Sequence, residues 1–157
     1  MKKYNVEVRG VTPYMQHRMD DTKLEVWEKQ RGKIIERDDV AKEDLLRAEF
    51  HSYRNDNGEY FIPAEQLRGA MIGAGSFMKS KVGNAKKSMK NVVAAMFYVM
   101  PQQIPLPSNW IIDKRSAVNK NVKARVICIR PRWDSWSAQF QLWIDNDTIT
   151  TETVKEL

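Results

Sequence analysis

The chain has 157 residues, a net charge of +6 and 42% hydrophobic residues, which suits one domain with its own core and the composition of a soluble protein. No apolar run approaches the length of a membrane span, the opening MKKYNVEVRG lacks the continuous apolar segment of a secretion signal, and the single cysteine, Cys128, excludes an intrachain disulfide or a thiolate metal cluster. The expectation is a cytoplasmic protein of one domain, 1–157, with no cofactor, no bound metal and no membrane partner.

Tyr4, Val6 and Val8 alternate with Asn5, Glu7 and Arg9, the period of a half-buried strand that Gly10 and Pro13 end. A loop with large side chains follows to Asp20 and Asp21, which with Thr22 are N-cap candidates for a helix carrying Leu24, Trp27, Ile34 and Ile35. DDVAKEDLLRAEF reads as a second helical piece. Asn57-Gly58 is a strong hairpin signal between Tyr53 and Tyr60. Pro63 opens a further helix whose core face is Leu67, Ala70, Met71, Ala74, Phe77 and Met78. Gly69, Gly73 and Gly75 are costly there, which a close approach by a neighbour or a ligand would explain.

KSKVGNAKKSMKN, 79–91, reads as a flexible basic loop, VVAAMFYVMP as a buried strand, and IIDKRSAV as a short extended piece. The sharpest pattern lies at 122–145 and predicts a hairpin. Val122, Ala124, Val126 and Cys128 alternate with Lys123, Arg125, Ile127 and Ile129 in one arm; Ala138, Phe140, Leu142 and Ile144 alternate with Ser137, Gln139, Gln141 and Trp143 in the other. Thr150 or Thr151 would cap a short last helix. Strands surrounding two helices in this order predict an α+β fold of ferredoxin-like type with inserted hairpins.

The charge is unevenly spread. Residues 1–65 hold 12 Lys/Arg against 14 Asp/Glu, residues 66–133 hold 13 against one, and the remainder holds one against five. No acid lies between Glu65 and Asp113. A middle third of this charge favours a polyanionic partner over a merely solvated face. Lys79, Lys81, Lys86, Lys87 and Lys90 suit phosphate neutralisation. Arg125, Arg130 and Arg132 stand near Trp133 and Trp136, the mixture of charge and rings that single-stranded nucleic acid uses; either tryptophan equally suits packing of the hairpin on the core. Catalytic patterns are poor: His17 and His51 stand in different elements, and no zinc-protease, hydrolase or P-loop signature occurs. Asp20 and Asp21 could bind Mg²⁺ or serve only as a helix cap.

The segments VEVRGVTPYMQHR, FIPAEQLRGAMIGAG and SAVNKNVKARVICIRPRWDSWSAQFQLWID resemble a family of small proteins encoded in phages, prophages and mobile elements. That family shares an opening strand ending in G-x-x-P-h-h-x-H-R, an I-P-x-x-x-h-x-x-A helix and a late R-h-x-x-x-R-P-x-h-x-x-W hairpin. It is in turn similar to the RAMP proteins of CRISPR effector complexes, especially their Cas7-like backbone subunits, whose I-P-x-x-x-h-(K/R)-G segment is matched by Ile62, Pro63, Leu67, Arg68 and Gly69. The resemblance implies an RRM-like or ferredoxin-like antiparallel sheet with helices on one face. It also implies RNA gripped through its backbone by a basic loop, with subunits stacked side by side. The Gly-rich signature near the RAMP C-terminus is absent here. The candidate phosphate contacts are then Arg68, the five lysines of 79–91, Lys123, Arg125, Arg130 and Arg132, with Trp133 and Trp136 as stacking rings. Two other readings stand beside non-enzymatic binding of single-stranded RNA. One is a metal-dependent ribonuclease using Asp20 or Asp21, as in some RAMP subunits. The other is an assembly component that docks on a host or phage complex or forms a homo-oligomer.

Overall fold

The computed structural model describes residues 1–18, 40–82, 85–119, 124–145 and 149–157. They build a mixed α/β fold whose strand pairings are all antiparallel. Where composition leads to one domain, the Cα framework divides into two compact units: 1–9, 61–106 and 137–157 form the first, 10–60 and 107–136 the second. Among the described residues no helix is long and apolar enough to cross a membrane.

The first unit is organised on a three-stranded sheet with β10 (Ser137–Ile144) at its centre, β1 (Lys2–Arg9) on one side and β6 (Phe97–Met100) on the other. Period-two alternation sets its two faces. Ala138, Phe140, Leu142 and Ile144 of β10 and Phe97 and Val99 of β6 are buried, while Lys3, Asn5, Glu7, Gln139, Gln141 and Tyr98 are exposed on the other side. Burial of each large apolar side chain contributes about 1.5–3 kcal/mol. A two-stranded ladder of β3 (Phe61–Pro63) and β7 (Gln103–Pro105) buries Ile62 opposite Ile104. Helices α2 (Ala64–Gly75) and α3 (Lys90–Met96) cover the inner face of β6. Pro63 caps α2 in extended backbone, and Glu65 in the first turn suits the positive helix end. Gly75 lies where α2 meets α3: a Cβ there would press on Lys90 N and Val93 Cγ2, both at 3.2 Å. Gly69 and Gly73 have nothing within 4 Å of such an atom, so close approach accounts for only one of the three glycines. The last helix, α4 (Thr151–Glu156), is capped by Thr150, whose Oγ1 accepts from Thr153 N.

Two expectations need correction here. The described residues of 79–91, expected as a flexible loop, are mostly paired or helical: β4 (Lys79–Val82) and β5 (Ala85–Ser88) form a ribbon, and α3 begins at Lys90. The ribbon's base is tied down, because Met89 is buried and its N–H donates to Met78 O at 3.0 Å. The VVAAM run is helical rather than extended. Its β-branched propensity yields to packing, with Val93 fully buried at the α2 crossing.

The second unit is built on a long ribbon of β8 (Ile111–Asn119) and β9 (Ala124–Trp133), registered from Ile111↔Arg132 to Asn119↔Ala124. The short β2 (Tyr14–Met15) adds on the other edge of β9, Tyr14 opposite Trp133. Helix α1 (Val40–Phe50) packs on this ribbon, with Ala48 fully buried and Lys114 Nζ donating to Asp44 Oδ2 at 2.6 Å. Among the described side chains of β9, Ile129, Pro131 and Trp133 are buried. Among the described residues, the arms expected at 122–145 are strands, β9 and β10, but they do not pair with each other. Both edges of β9 are taken by β8 and β2, and both edges of β10 by β1 and β6. The partner of β9 in the long antiparallel pair is β8. The turn signalled by Asn57-Gly58 closes with Gly58 N–H donating to Asn55 O and a bridge between Arg54 and Tyr60.

Candidate nucleic-acid interface

The sequence-based candidates are divided between the units. In the first, the β4–β5 register sets Lys79 opposite Ser88, Ser80 opposite Lys87 and Lys81 opposite Lys86. Lys79 and Lys90 are exposed. Lys90 stands in the first turn of α3, which holds no acid, although a cation is disfavoured at that helix end. Phe77, expected in the core face of α2, is instead 90% exposed just before the ribbon. Arg68 is committed elsewhere. Its Nε donates to Phe97 O at 3.1 Å and an amino nitrogen donates to Ala94 O, so it closes the C-terminal carbonyls of α3.

In the second unit Asp113 organises the arginines. This one acid of the 66–133 stretch is 3% exposed on β8, directly opposite Arg130 of β9. Arg115 Nε reaches Asp113 Oδ1 at 2.6 Å, Arg132 reaches the same oxygen at 3.3 Å, and Arg130 reaches Oδ2 at 3.4 Å. Arg132 also holds Asp134 at 2.7 Å. Burial pushes the Asp113 carboxyl up, but the hydrogen bond and charge of Arg115, with Arg132 and Arg130, outweigh it and hold the group below its ordinary range. The cover is thin: Arg115, Arg130 and Arg132 are 53%, 25% and 26% exposed. Arg130 and Arg132, expected at an exposed arm end, are thus half-buried and already ion-paired. Arg115 and the exposed Arg125 have the freer access.

The backbone bond from Gln16 N to Pro131 O continues the β2–β9 pairing, and the next residue, His17, lies within reach of the charge of Arg130. His17 stacks on His51, ring centres 4.4 Å apart, so two histidines distant in sequence meet. Burial, then the charges of His51 and Arg130, lower the His17 pKa. Gln16 is buried beside them and accepts from Tyr53 N at 2.8 Å. Burial raises the Tyr14 phenol to about 12, against a hydrogen bond to Gln16.

Both tryptophans expected to stack on bases make packing and hydrogen-bond contacts within the second unit. Trp133 is fully buried between Tyr14 and Tyr60, and its Nε1 donates to Pro107 O at 2.7 Å. Trp136 is half-buried, its Nε1 donating to Thr12 O at 3.0 Å and its ring lying where any side chain at residue 10 would stand, which explains Gly10. Asp20, Asp21 and Lys123 lie outside the described residues. Among the described residues no group of three or more His, Cys, Asp or Glu is placed to hold a metal ion.

Sequence reasoning missed Asp113, Arg115, Phe77 and the histidine pair. For Asp113 a signal existed: one acid alone among 13 basic residues is a natural salt-bridge centre. No family model matches the chain, and comparison with curated proteins and with solved structures also gave no match.

Proposed function

We propose that the chain is a non-enzymatic, cytoplasmic binder of single-stranded nucleic acid, RNA in the first instance, that grips phosphates with the β4–β5 ribbon. The observation that carries this reading is the ribbon itself. It pairs Lys81 with Lys86 in register and is followed by Lys90 at α3, in a stretch with no acid from Glu65 to Asp113. Like charges at partner positions are unfavourable in a sheet, and a polyanion converts that cost into binding through counterion release. The resemblance to RAMP proteins favours RNA over DNA, and a ferredoxin-like arrangement of the RAMP kind belongs to the same proposal.

The test is titration of fluorescent single-stranded RNA and DNA across a salt series. Each phosphate contact adds about 0.7 to the slope of log K against log salt for single strands. Lys86→Glu with Lys87→Glu should therefore flatten the slope by about 1.4 and weaken binding to all sequences alike. Unchanged affinity and slope in that variant would refute the ribbon as the grip.

A second reading, an assembly component, is favoured by a separate observation. Val118 and Ile127 are 61% and 62% exposed at alternating, same-face positions of β8–β9. Concentration-dependent oligomers that disappear in Ile127→Lys, in protein that ignores nucleic acid, would favour it.

A further inference from the structure

The sheet of β1, β10 and β6 buries one face and leaves the other open. Across the open face the ladder aligns Lys3 with Trp143 and Trp143 with Tyr98, then Asn5 with Gln141 and Gln141 with Met100. One row is cation, indole and phenol; the next is two amides and a thioether. Lys3 Nζ lies 4.2 Å from the Trp143 ring centre, and Tyr98 is 45% exposed. A depression of about 750 Å³ lies over the amide row and the Trp143 end of the other, with Trp143, Met100 and Pro101 as apolar wall and Asn5, Glu7, Gln139 and Gln141 as polar lining; Lys3 and Tyr98 flank Trp143 outside it. The amides are pre-oriented. Trp143 Nε1 donates to Gln141 Oε1 at 3.1 Å, and Gln141 Nε2 donates to Asn5 Oδ1 at 3.3 Å. Each amide has two donors and two lone pairs, so capacity is left over. The carboxylate in this patch, Glu7, is engaged by Arg9 at 2.9 Å and does not oppose an anionic strand with its full charge.

An aromatic wall with amides beside it fits a flat heterocycle whose edge carries donors and acceptors. An apolar peptide would strand the amides without partners. A bare phosphate would find a cation only in Lys3 and would leave the indole unused. We infer that this face seats bases of a single strand, one stacked on Trp143 with its edge toward Asn5 and Gln141, and a neighbour against Tyr98. The inference rests on the single-strand reading above and adds base contacts to the phosphate contacts of a ribbon that belongs to the same unit.

The experiment compares fluorescent oligouridylate and oligoadenylate of about 12 nucleotides with an abasic strand of equal length and charge. The base-bearing strands should bind more tightly. Trp143→Leu and Tyr98→Leu should each weaken them by about tenfold or more and leave abasic binding unchanged, while Trp143→Phe keeps most of the affinity. Gln141→Ala should change the ratio between the two homopolymers. Lys86→Glu with Lys87→Glu should instead weaken base-bearing and abasic strands alike. If Trp143→Leu fails to fold, Tyr98→Leu at its exposed position carries the test. Equal binding of abasic and base-bearing strands, unmoved by either aromatic variant, overturns the base-seating face and leaves the phosphate grip standing. Absence of binding to every strand overturns the single-strand reading and this inference together. Displacement of the strand by nucleoside monophosphate at equal nucleotide concentration marks a free-nucleotide pocket and overturns the assignment to a strand.

Discussion

Replacing Asp113 by Asn keeps the shape of the side chain and removes the negative charge that holds Arg115, Arg130 and Arg132 together. Stranding a deeply buried charge costs about 3–5 kcal/mol, whereas an exposed ion pair is worth only about 0.2–1 kcal/mol. Asp113 is 3% exposed but its partners are one-quarter to one-half exposed, so water and salt screen part of the repulsion left behind. The expected loss is therefore intermediate, about 2 kcal/mol at low salt. With a urea dependence of about 2 kcal/mol per molar, the unfolding midpoint should fall by about 1 M. Added salt should narrow the gap by screening, and inorganic phosphate should restore the variant more than the wild type. Acid supplies an internal check. The folded pKa of Asp113 lies below its ordinary 3.8, so its stabilisation is complete above that value and disappears as pH falls through the depressed folded pKa. The two proteins should converge there. An equal midpoint at neutral pH and low salt would show that Asp113 does not hold the arginines, and the account of the second unit would fail.

Further expectations concern single residues. Gly10→Ala should push Trp136 off its hydrogen bond to Thr12, at a cost of about 1–3 kcal/mol, visible as a lower melting temperature and altered tryptophan fluorescence. Trp133→Phe should destabilise by about 1–3 kcal/mol by leaving Pro107 O without its donor, yet leave nucleic-acid affinity unchanged; weakened binding by a folded variant would restore Trp133 as a contact. His17 titrates below its ordinary 6.5 in the fold, so the unfolded chain holds more protons between the two values. Melting temperature should fall as pH drops below about 6.5, and less steeply in His17→Gln; identical pH profiles would remove His17 from the account.

Legibility in the sequence followed the range of the determining interaction. The alternation of β10 was plain because one face is buried along its whole length, and both its inward and outward residues came out as expected. The cap at Thr150 and the turn near Gly58 are likewise set by neighbours in sequence. Strand pairing is not: β10 finds Arg9 and Lys2 opposite its two ends, more than 120 residues away, while an adjacent arm with equally good alternation goes to another sheet. The helix at Lys90–Met96 was hidden because Val92 and Val93 favour strands locally, and tertiary packing, with Val93 buried against Gly75 and Arg68 closing the helix end, opposes that preference. The candidate site was half legible for the same reason. Lysines without nearby acids were visible, but the carboxylate that occupies Arg130 and Arg132 lies 17 and 19 residues away and meets them only through the β8–β9 register.

The central position of β10 also has a consequence for synthesis. Its neighbours β1 and β6 leave the ribosome first, and the strand that joins them begins only at Ser137. At about 5–20 residues per second, β1 waits on the order of 10 s for its partner. Throughout that time the nascent sheet has bare edges and no middle, the condition in which strands recruit strangers. Lys2 and Lys3 at the start of β1, beyond the Glu7–Arg9 pair, place on that waiting edge the kind of charge by which sheet edges resist pairing with other chains.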